Sequence, residues 1–381
     1  MKKLETRCIH PVELEEDSKG AVTAPVFLSA AYDYQDAAEL RYPGFYSTYN
    51  QQRVGKIMAQ LEQGNWGMPF SSGMAAISTA ILSFAGQHDH IIFCRDLYGG
   101  TFRLAEEELP KRGISCSYAA HSPEQFKALL QPNTKVIYIE TPANPLLSIV
   151  PLKEIAALAK AHGAITIVDN TFASPINQLP LLHGIDISVH SGTKYLGGHN
   201  DLPFGVLISA SEAHKARIHA TAKLYGGSLS PYECYLVERS LKTLALRVQR
   251  QNENAFKLAE YLSAQPLTRQ VYYPGLPSHP GYAIACEQMT GFGGMLSFEL
   301  DIPAEKIPAF LKALRIISPA LSLGGVESLI CAPAVTSHRG LTPAQRQELG
   351  IKDNLLRLSV GIENVDDLIT DIDTAISKAM H

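Results

Sequence analysis

Lys194 stands just past a short apolar run, in His190-Ser191-Gly192-Thr193-Lys194-Tyr195-Leu196-Gly197-Gly198. A lysine among small hydroxyl residues at such a place is either an ion-paired loop lysine or an amine that forms a Schiff base with an aldehyde. Burial and neighbouring cations lower a lysine's pKa and make it a base and nucleophile near neutral pH. Asp169 closes another apolar run, Ala164 to Val168. A carboxylate there is costly unless it meets a positive partner. A protonated pyridine nitrogen would be one, since an opposite charge within a few ångströms shifts a pKa by about one to three units. The other reading is a helix N-cap, which Pro175 makes less convincing. Ser71-Ser72-Gly73-Met74 precedes an Ala/Ile-rich helix, Ala75 to Phe84. It is either an ordinary helix cap or an anion seat, where glycine lets the backbone come close and the helix end offers free N–H groups. Ser191 and Thr193 could add hydroxyl donors to the same anion.

These groups need a scaffold that brings them to one place. Ile91 to Cys94, Val136 to Ile139, Ala164 to Val168 and Ile185 to Val189 read as buried strands, and Leu152 to His162-Gly163 as a helix. Strand and helix alternating in steps of about thirty residues predict a mostly parallel sheet flanked by helices. In such a sheet ligands bind beyond the carboxyl ends of the strands. Those ends carry Arg95 to Thr101 with Tyr98, Glu140 to Pro145 with Asn144, Asp169-Asn170-Thr171, and the Lys194 segment. An aldehyde-binding lysine, a pyridinium-pairing aspartate and a phosphate seat on one sheet edge define pyridoxal 5′-phosphate, an electron sink for a carbanion at Cα of an amino acid. No G-x-G-x-x-G follows the first strand, so a dinucleotide site has little support. Beyond this region a long helix is predicted from Tyr232 to Ala264. Strands at Met295 to Leu300 and Leu355 to Val360 follow, with helices at Pro308 to Leu314 and Val365 to Ala379. The expected organisation is an N-terminal arm (1–55), a cofactor-binding α/β domain (56–250) and a smaller α+β domain (251–381). The arm is expected to be irregular and to wrap another surface, such as that of a second subunit.

Seven stretches taken together resemble the cystathionine synthase/lyase family of Cys/Met metabolism, which includes methionine γ-lyases and has the fold type I, aspartate-aminotransferase-like architecture. They are Phe70-Ser71-Ser72-Gly73-Met74-Ala75-Ala76, Leu97-Tyr98-Gly99-Gly100-Thr101, Glu140-Thr141-Pro142-Ala143-Asn144-Pro145 and Val168-Asp169-Asn170-Thr171-Phe172, then His190 through Asp201, Ser322 through Leu329 and Arg357 through Glu363. The resemblance implies that Lys194 holds the cofactor and shuttles protons, that Asp169 pairs with the ring nitrogen, and that Tyr98 stacks on the ring and serves as acid or base at the leaving group. It implies cofactor contacts from Ser72, Gly73, Met74, Thr171, Ser191 and Thr193, with Asn144 reaching the ring hydroxyl or the substrate. Arg357 would clamp the substrate carboxylate through two charge-assisted hydrogen bonds, and Ser322 would line the same pocket. It also implies transsulfuration chemistry in amino-acid biosynthesis and a homotetramer of catalytic dimers, in which each arm enters its neighbour's site.

The likeness breaks at two points. The family's arm carries Tyr-x-Arg, whose Tyr and Arg hold the neighbour's phosphate, whereas this chain reads Arg41-Tyr42-Pro43-Gly44-Phe45-Tyr46-Ser47-Thr48. Spacing to Ser72-Gly73 favours Tyr42 as the arm tyrosine, which puts Gly44 at the arginine's place; choosing Tyr46 puts Thr48 there. Arg41 and Arg53 are the candidates to replace it. Leu321, just before Ser322, stands where relatives often carry an acidic residue. An apolar residue there suits an uncharged distal group on the substrate without excluding cystathionine. The reading is a carbon–sulfur lyase acting by β- or γ-elimination on cystathionine, methionine or cysteine. The alternative is a transferase that replaces an activated homoserine oxygen with a thiol. An aminotransferase would share Lys194 and Asp169, and a catalytically idle relative would act as an interaction protein.

Composition narrows the remainder. The chain has 381 residues, 46 % hydrophobic and 18 % charged, so it can bury a large core. A net charge of -4 argues against a general nucleic-acid binder. No run of about 18 apolar residues predicts a membrane span, and Met1-Lys2-Lys3 lacks the apolar stretch of a secretory signal. Cys8, Cys94, Cys116, Cys234, Cys286 and Cys331 form no C-x-x-C pair, as expected of reduced thiols in a cytoplasmic enzyme. His88-Asp89-His90 has no third ligand nearby and is read as a loop rather than a metal site.

Overall fold

The computed structural model describes residues 2–12, 20–35, 37–337, 339 and 342–380. Seven strands form the larger sheet: β1 (Trp66–Phe70), β2 (His90–Cys94), β3 (Ser115–Ala119), β4 (Thr134–Glu140), β5 (Ile165–Asp169), β6 (Ile187–Ser191) and β7 (Gly205–Ser209). Their spatial order is β1-β7-β6-β5-β4-β2-β3. Strands β3, β2, β4, β5 and β6 run parallel, and β7 pairs antiparallel with both β6 and β1. The four expected strands of this sheet form, with β5 and β6 ending one and two residues later than read from sequence. Helices cover both faces, so the central strands are apolar throughout rather than alternating.

The register decides the site. Glu140 lies opposite Asp169, and Asp169 opposite Val189. The carboxyl ends of β2, β4, β5 and β6 therefore open on one edge. The helix Gly73–Phe84 returns to the same edge, capped by Ser72, whose side chain accepts from the Ala75 N–H at 3.1 Å. Strand β1 escapes a sequence reading because it holds Gly67 and Pro69. It is an edge strand, where proline is tolerated, and Gly67 meets the helix Tyr49–Glu62 at Gly55. A Cβ on Gly67 would lie 2.6 Å from the Gly55 carbonyl oxygen, so only glycine permits this approach.

The smaller sheet has the order β10-β11-β12-β9-β8, built from β8 (Thr268–Tyr272), β9 (Met295–Leu300), β10 (Ser318–Pro319), β11 (Leu329–Cys331) and β12 (Leu355–Ser359). The helix Val365–Met380 packs on it with Ile307–Ala313. Arg357 sits mid-strand in β12, between Cys331 of β11 and Ser297 of β9.

Two expectations are corrected. The helix expected over Tyr232 to Ala264 is two helices, Pro231–Leu241 and Leu244–Ala264. The buried Arg247 guanidinium draws in the Ser240 carbonyl at 3.0 Å and the Thr243 hydroxyl at 3.1 Å, and also holds the Tyr195 carbonyl at 2.7 Å. Helical geometry gives way to these bonds at the junction. The arm is not wholly irregular: Leu4–Ile9 is helical, and Thr48 opens the helix Tyr49–Glu62 with a capping box to Gln51. Between them Val22, Leu28 and Tyr34 are 89 %, 73 % and 73 % exposed, so this stretch builds no core of its own. Among the described residues no helix is long and apolar enough to cross a membrane, and no group of three or more His, Cys, Asp or Glu could hold a metal. His90 is buried with its ring between the Thr134 and Ser117 hydroxyls.

Candidate active site

Lys194 leaves the β6 edge within a turn in which its N–H donates to the Ser191 carbonyl at 3.2 Å. Its Nζ donates to Ser322 Oγ at 3.0 Å, across 128 residues of chain. Burial lowers the lysine's pKa, and the positive charge of Arg357 lowers it further. Both effects favour the neutral amine that can attack a carbonyl carbon.

Arg357 and Asn144 meet across the two sheets. Nη1 donates to Asn144 Oδ1 at 2.7 Å and Nη2 to the Ser322 carbonyl at 3.3 Å. The Arg357 Nε–H is buried and has no hydrogen-bond partner among the described residues. An orphaned donor on a buried guanidinium is what an incoming carboxylate would satisfy. Ser322 itself has φ 91°, a region that L-residues rarely adopt. This conformation lets one residue offer its hydroxyl to Lys194 and its carbonyl to Arg357.

Asp169 is buried at the end of β5. Its Oδ1 accepts from both the N–H and the hydroxyl of Thr171, and Oδ2 accepts from Tyr138 Oη at 3.4 Å. Burial pushes its pKa up, against the pull of the Thr171 hydrogen bonds. Among the described residues it has no ion-pair partner. A cation placed against it would restore the charge, which fits a protonated ring nitrogen. Behind it, Glu62 Oε1 accepts from Asn170 Nδ2 at 3.0 Å and lies 2.5 Å from His190 Nε2. This buried network fixes the backbone on either side of Asp169 and Ser191.

The anion seat is built where Gly73 faces Ser191. A Cβ on Gly73 would lie 2.8 Å from Ser191 Cβ and 2.9 Å from Oγ, so only glycine leaves the gap. The Gly73 and Met74 N–H groups belong to the first turn and have no intrahelical acceptor. The Ser191 N–H donates to Thr171 Oγ1 at 2.8 Å, which ties the seat to Asp169. The Thr193 hydroxyl is engaged with the backbone of Phe204, accepting from its N–H at 3.0 Å. Tyr98 lies beside the seat, half-exposed. A Cβ on Gly100 would fall 2.5 Å from the Tyr98 ring and 3.0 Å from Met74 Sδ, which places both around Gly100. These residues fit a phosphorylated pyridine aldehyde.

The structure brings together Ser72, Gly73, Met74, Tyr98, Thr171, Asp169, Ser191, Thr193 and Lys194 on the sheet edge, with Asn144, Ser322 and Arg357 facing them. It does not bring Tyr42 there within this chain. Tyr42 is half-exposed on the arm, edge-on to Phe45, and its N–H donates to Ser47 Oγ at 3.0 Å. Tyr46, the other arm candidate, is buried against Phe70 with its hydroxyl on the Gly226 carbonyl at 2.6 Å. Arg53 is committed to Glu238 at 2.8 and 2.9 Å, and Arg41 is exposed. One residue had no role in the sequence reading. Glu140 is buried, and its Oε2 accepts the Tyr98 N–H at 2.7 Å. The signal in the sequence was an acid at the end of an apolar strand.

A lysine amine, a buried aspartate and an anion seat on one edge of an aspartate-aminotransferase-like sheet define a pyridoxal-phosphate-dependent enzyme. A family model described as Cys/Met metabolism PLP-dependent enzyme matches residues 5–377, and the chain belongs to that family. It is 44 % identical to cystathionine beta-lyase of Lactococcus lactis subsp. cremoris (strain MG1363), over 99 % of this chain and 100 % of that protein. It is 41 % identical to cystathionine gamma-lyase of Bacillus subtilis (strain 168), again over 99 % and 100 %. The structure of cystathionine gamma-lyase from Lactobacillus plantarum complexed with L-serine superposes with a TM-score of 0.95 at 39 % identity, covering 100 % of both chains. That of cystathionine gamma synthase from Xanthomonas oryzae pv. oryzae gives 0.95 at 37 %, covering 100 % of this chain and 99 % of the other.

Proposed function

We propose that this chain is a carbon–sulfur lyase that releases ammonia, a 2-oxo acid and a thiol from cystathionine. The observation that carries the reading is the placement of Lys194, its Nζ 3.0 Å from Ser322 Oγ and its amine made less basic by burial and by Arg357. Full-length similarity to cystathionine lyases supports the choice of substrate. Bound pyridoxal phosphate supplies the electron sink for charge at the substrate Cα. Lys194 would hold the cofactor through Nζ, and the same amine is placed to take the Cα proton. Asp169 keeps the ring nitrogen protonated. Gly73, Met74 and Ser191 hold the phosphate, with Ser72 capping the helix and Thr171 and Thr193 bracing the loop. Arg357 binds the substrate carboxylate through its free Nε–H, oriented by Asn144 and Ser322. Tyr98 would lie over the ring and pass a proton to the departing sulfur.

Leu321 is 64 % exposed and presents no charge to the distal end of a substrate. That favours an uncharged distal group and keeps γ-replacement on an acylated homoserine as a second reading. We also infer an arm over 1–55, a cofactor domain over 56–250 and a smaller domain over 251–381, assembled as a tetramer of catalytic dimers. The exposed Val22, Leu28, Tyr34 and Tyr42 of the arm support burial against a neighbouring subunit. The deciding assay compares 2-oxo acid released from cystathionine, methionine and cysteine with thiol addition to O-acylhomoserine. Faster 2-oxo acid release from cystathionine than from the others is expected. A rate dominated by thiol addition would replace the lyase with the transferase.

A further inference from the structure

Glu140 ends β4 at the point where the chain turns into the loop bearing Asn144. Its carboxylate is buried, 4 % exposed, and among the described residues it pairs with no cation. It is not idle. Oε2 accepts the N–H of Tyr98, which belongs to the loop after β2, at 2.7 Å. The Asn144 N–H, from the loop after β4, lies near enough to the same carboxylate to favour its charged form. The strand register sets it directly beside Asp169. Asp96 joins the same two loops a little further out, its Oδ2 accepting from Ser148 Oγ at 2.8 Å. One buried acid thus bonds the backbone of Tyr98, lies close to that of Asn144, and neighbours the residue proposed to hold the ring nitrogen.

We propose that Glu140 is a positioning residue: a clasp that holds the Tyr98 and Asn144 backbones in place and couples their order to occupancy of the ring seat at Asp169. The inference rests on the reading of Lys194 and Asp169 as the cofactor site and goes beyond it, since it assigns a residue that touches neither cofactor nor substrate. The physical reason is charge. Burial and the neighbouring Asp169 both work against an ionised Glu140 and push its pKa well above the ordinary carboxylate range. A cationic ring nitrogen against Asp169 offsets that repulsion. It favours the carboxylate form of Glu140, which accepts backbone N–H groups most strongly. The coupling is reciprocal, so a clasp strengthened by the cofactor also strengthens cofactor binding. A neutral amide cannot do this. Glutamine keeps one accepting oxygen but places an NH2 donor where two N–H donors converge.

The test compares wild type with Glu140→Gln, each reconstituted with pyridoxal phosphate. Titration of the apo-proteins by visible absorbance is expected to show binding weakened about tenfold in the variant, the loss of one hydrogen bond to a charged acceptor. The visible circular dichroism of the bound cofactor, which reports how Tyr98 sits against the ring, is expected to fall. Equal affinity and an unchanged dichroic band in a folded variant would overturn the proposal. Wild type alone gives a second arm if the variant fails to fold. Hydrogen exchange at the Tyr98 and Asn144 amides is expected to slow when cofactor binds, more than at β7, and unchanged exchange would also overturn it. Neither readout uses a substrate, so failure of the lyase assignment would leave these results standing. A wild type that shows no visible band with the cofactor would instead overturn the cofactor site.

Discussion

Replacing Arg357 with alanine tests the substrate end of the site most directly. In the structure its guanidinium is held by Asn144 Oδ1 at 2.7 Å and the Ser322 carbonyl at 3.3 Å, while Nε–H is buried without a partner. The arginine is thus pre-oriented, and a carboxylate need only complete it. A hydrogen bond to a charged group contributes about 1.5–3 kcal/mol, and a tenfold change in an equilibrium corresponds to about 1.4 kcal/mol. The loss of one such bond, the one that Nε–H is free to make, predicts a KM raised roughly tenfold to about 150-fold for any amino-acid substrate. The same change removes the cation that lowers the Lys194 pKa, leaving only burial. The pH midpoint for cofactor attachment should therefore move upward in Arg357→Ala, since the ammonium form loses a like-charge neighbour. Steady-state kinetics with cystathionine and a pH series of cofactor uptake measure the two effects. A KM within twofold of wild type would refute the clamp. A midpoint that stayed put or fell would refute the electrostatic link between Arg357 and Lys194.

Lys194→Ala is expected to abolish the visible absorption of the reconstituted protein and its turnover while leaving the far-ultraviolet circular dichroism intact; a persistent band would reject Lys194 as the attachment point. Gly73→Ala places a Cβ 2.8 Å from Ser191 Cβ. It should weaken pyridoxal phosphate binding at least tenfold, while pyridoxal without its phosphate is affected much less; equal losses for both ligands would contradict a phosphate seat. Asp169 has a folded pKa above its unfolded one because of burial. The cofactor-free fold therefore binds this proton more tightly than the unfolded chain and loses stability as pH rises through the interval between the two values. A ring cation against Asp169 removes that penalty, so the rise in Tm on adding pyridoxal phosphate should grow as pH rises above the ordinary carboxylate range. A rise that shrinks over this range would count against Asp169 as the nitrogen's partner.

Much of the site was legible because strand ends are legible. Buried parallel strands are continuous apolar runs, so the polar residue closing each run announces the edge where ligands bind. Asp169, Asn144, Tyr98 and Lys194 could be found this way, and the small residues of Ser72-Gly73 mark a close approach that a side chain would block. What escaped involved residues whose neighbours in space lie far along the chain. The break at Lys242–Thr243 follows from Arg247 drawing on Ser240 and Tyr195. The strand Trp66–Phe70 escapes a sequence reading because Gly67 and Pro69 interrupt its apolar pattern.

From residue order alone came the sheet, and with it the proposals of an aldehyde-binding amine, an acid for a ring nitrogen and a seat for an anion on its edge. Only the folded chain decided which side chains share a partner. Lys194 and Arg357 converge on Ser322 from segments 128 and 35 residues away, Arg357 reaches Asn144 across 213 residues, and Glu140 becomes Asp169's neighbour through strand register. Local sequence sets backbone propensity and apolar periodicity. Hydrogen bonds and charge interactions act over a few ångströms, so their partners are set by how the two sheets and their connecting loops pack, which no short stretch of sequence encodes.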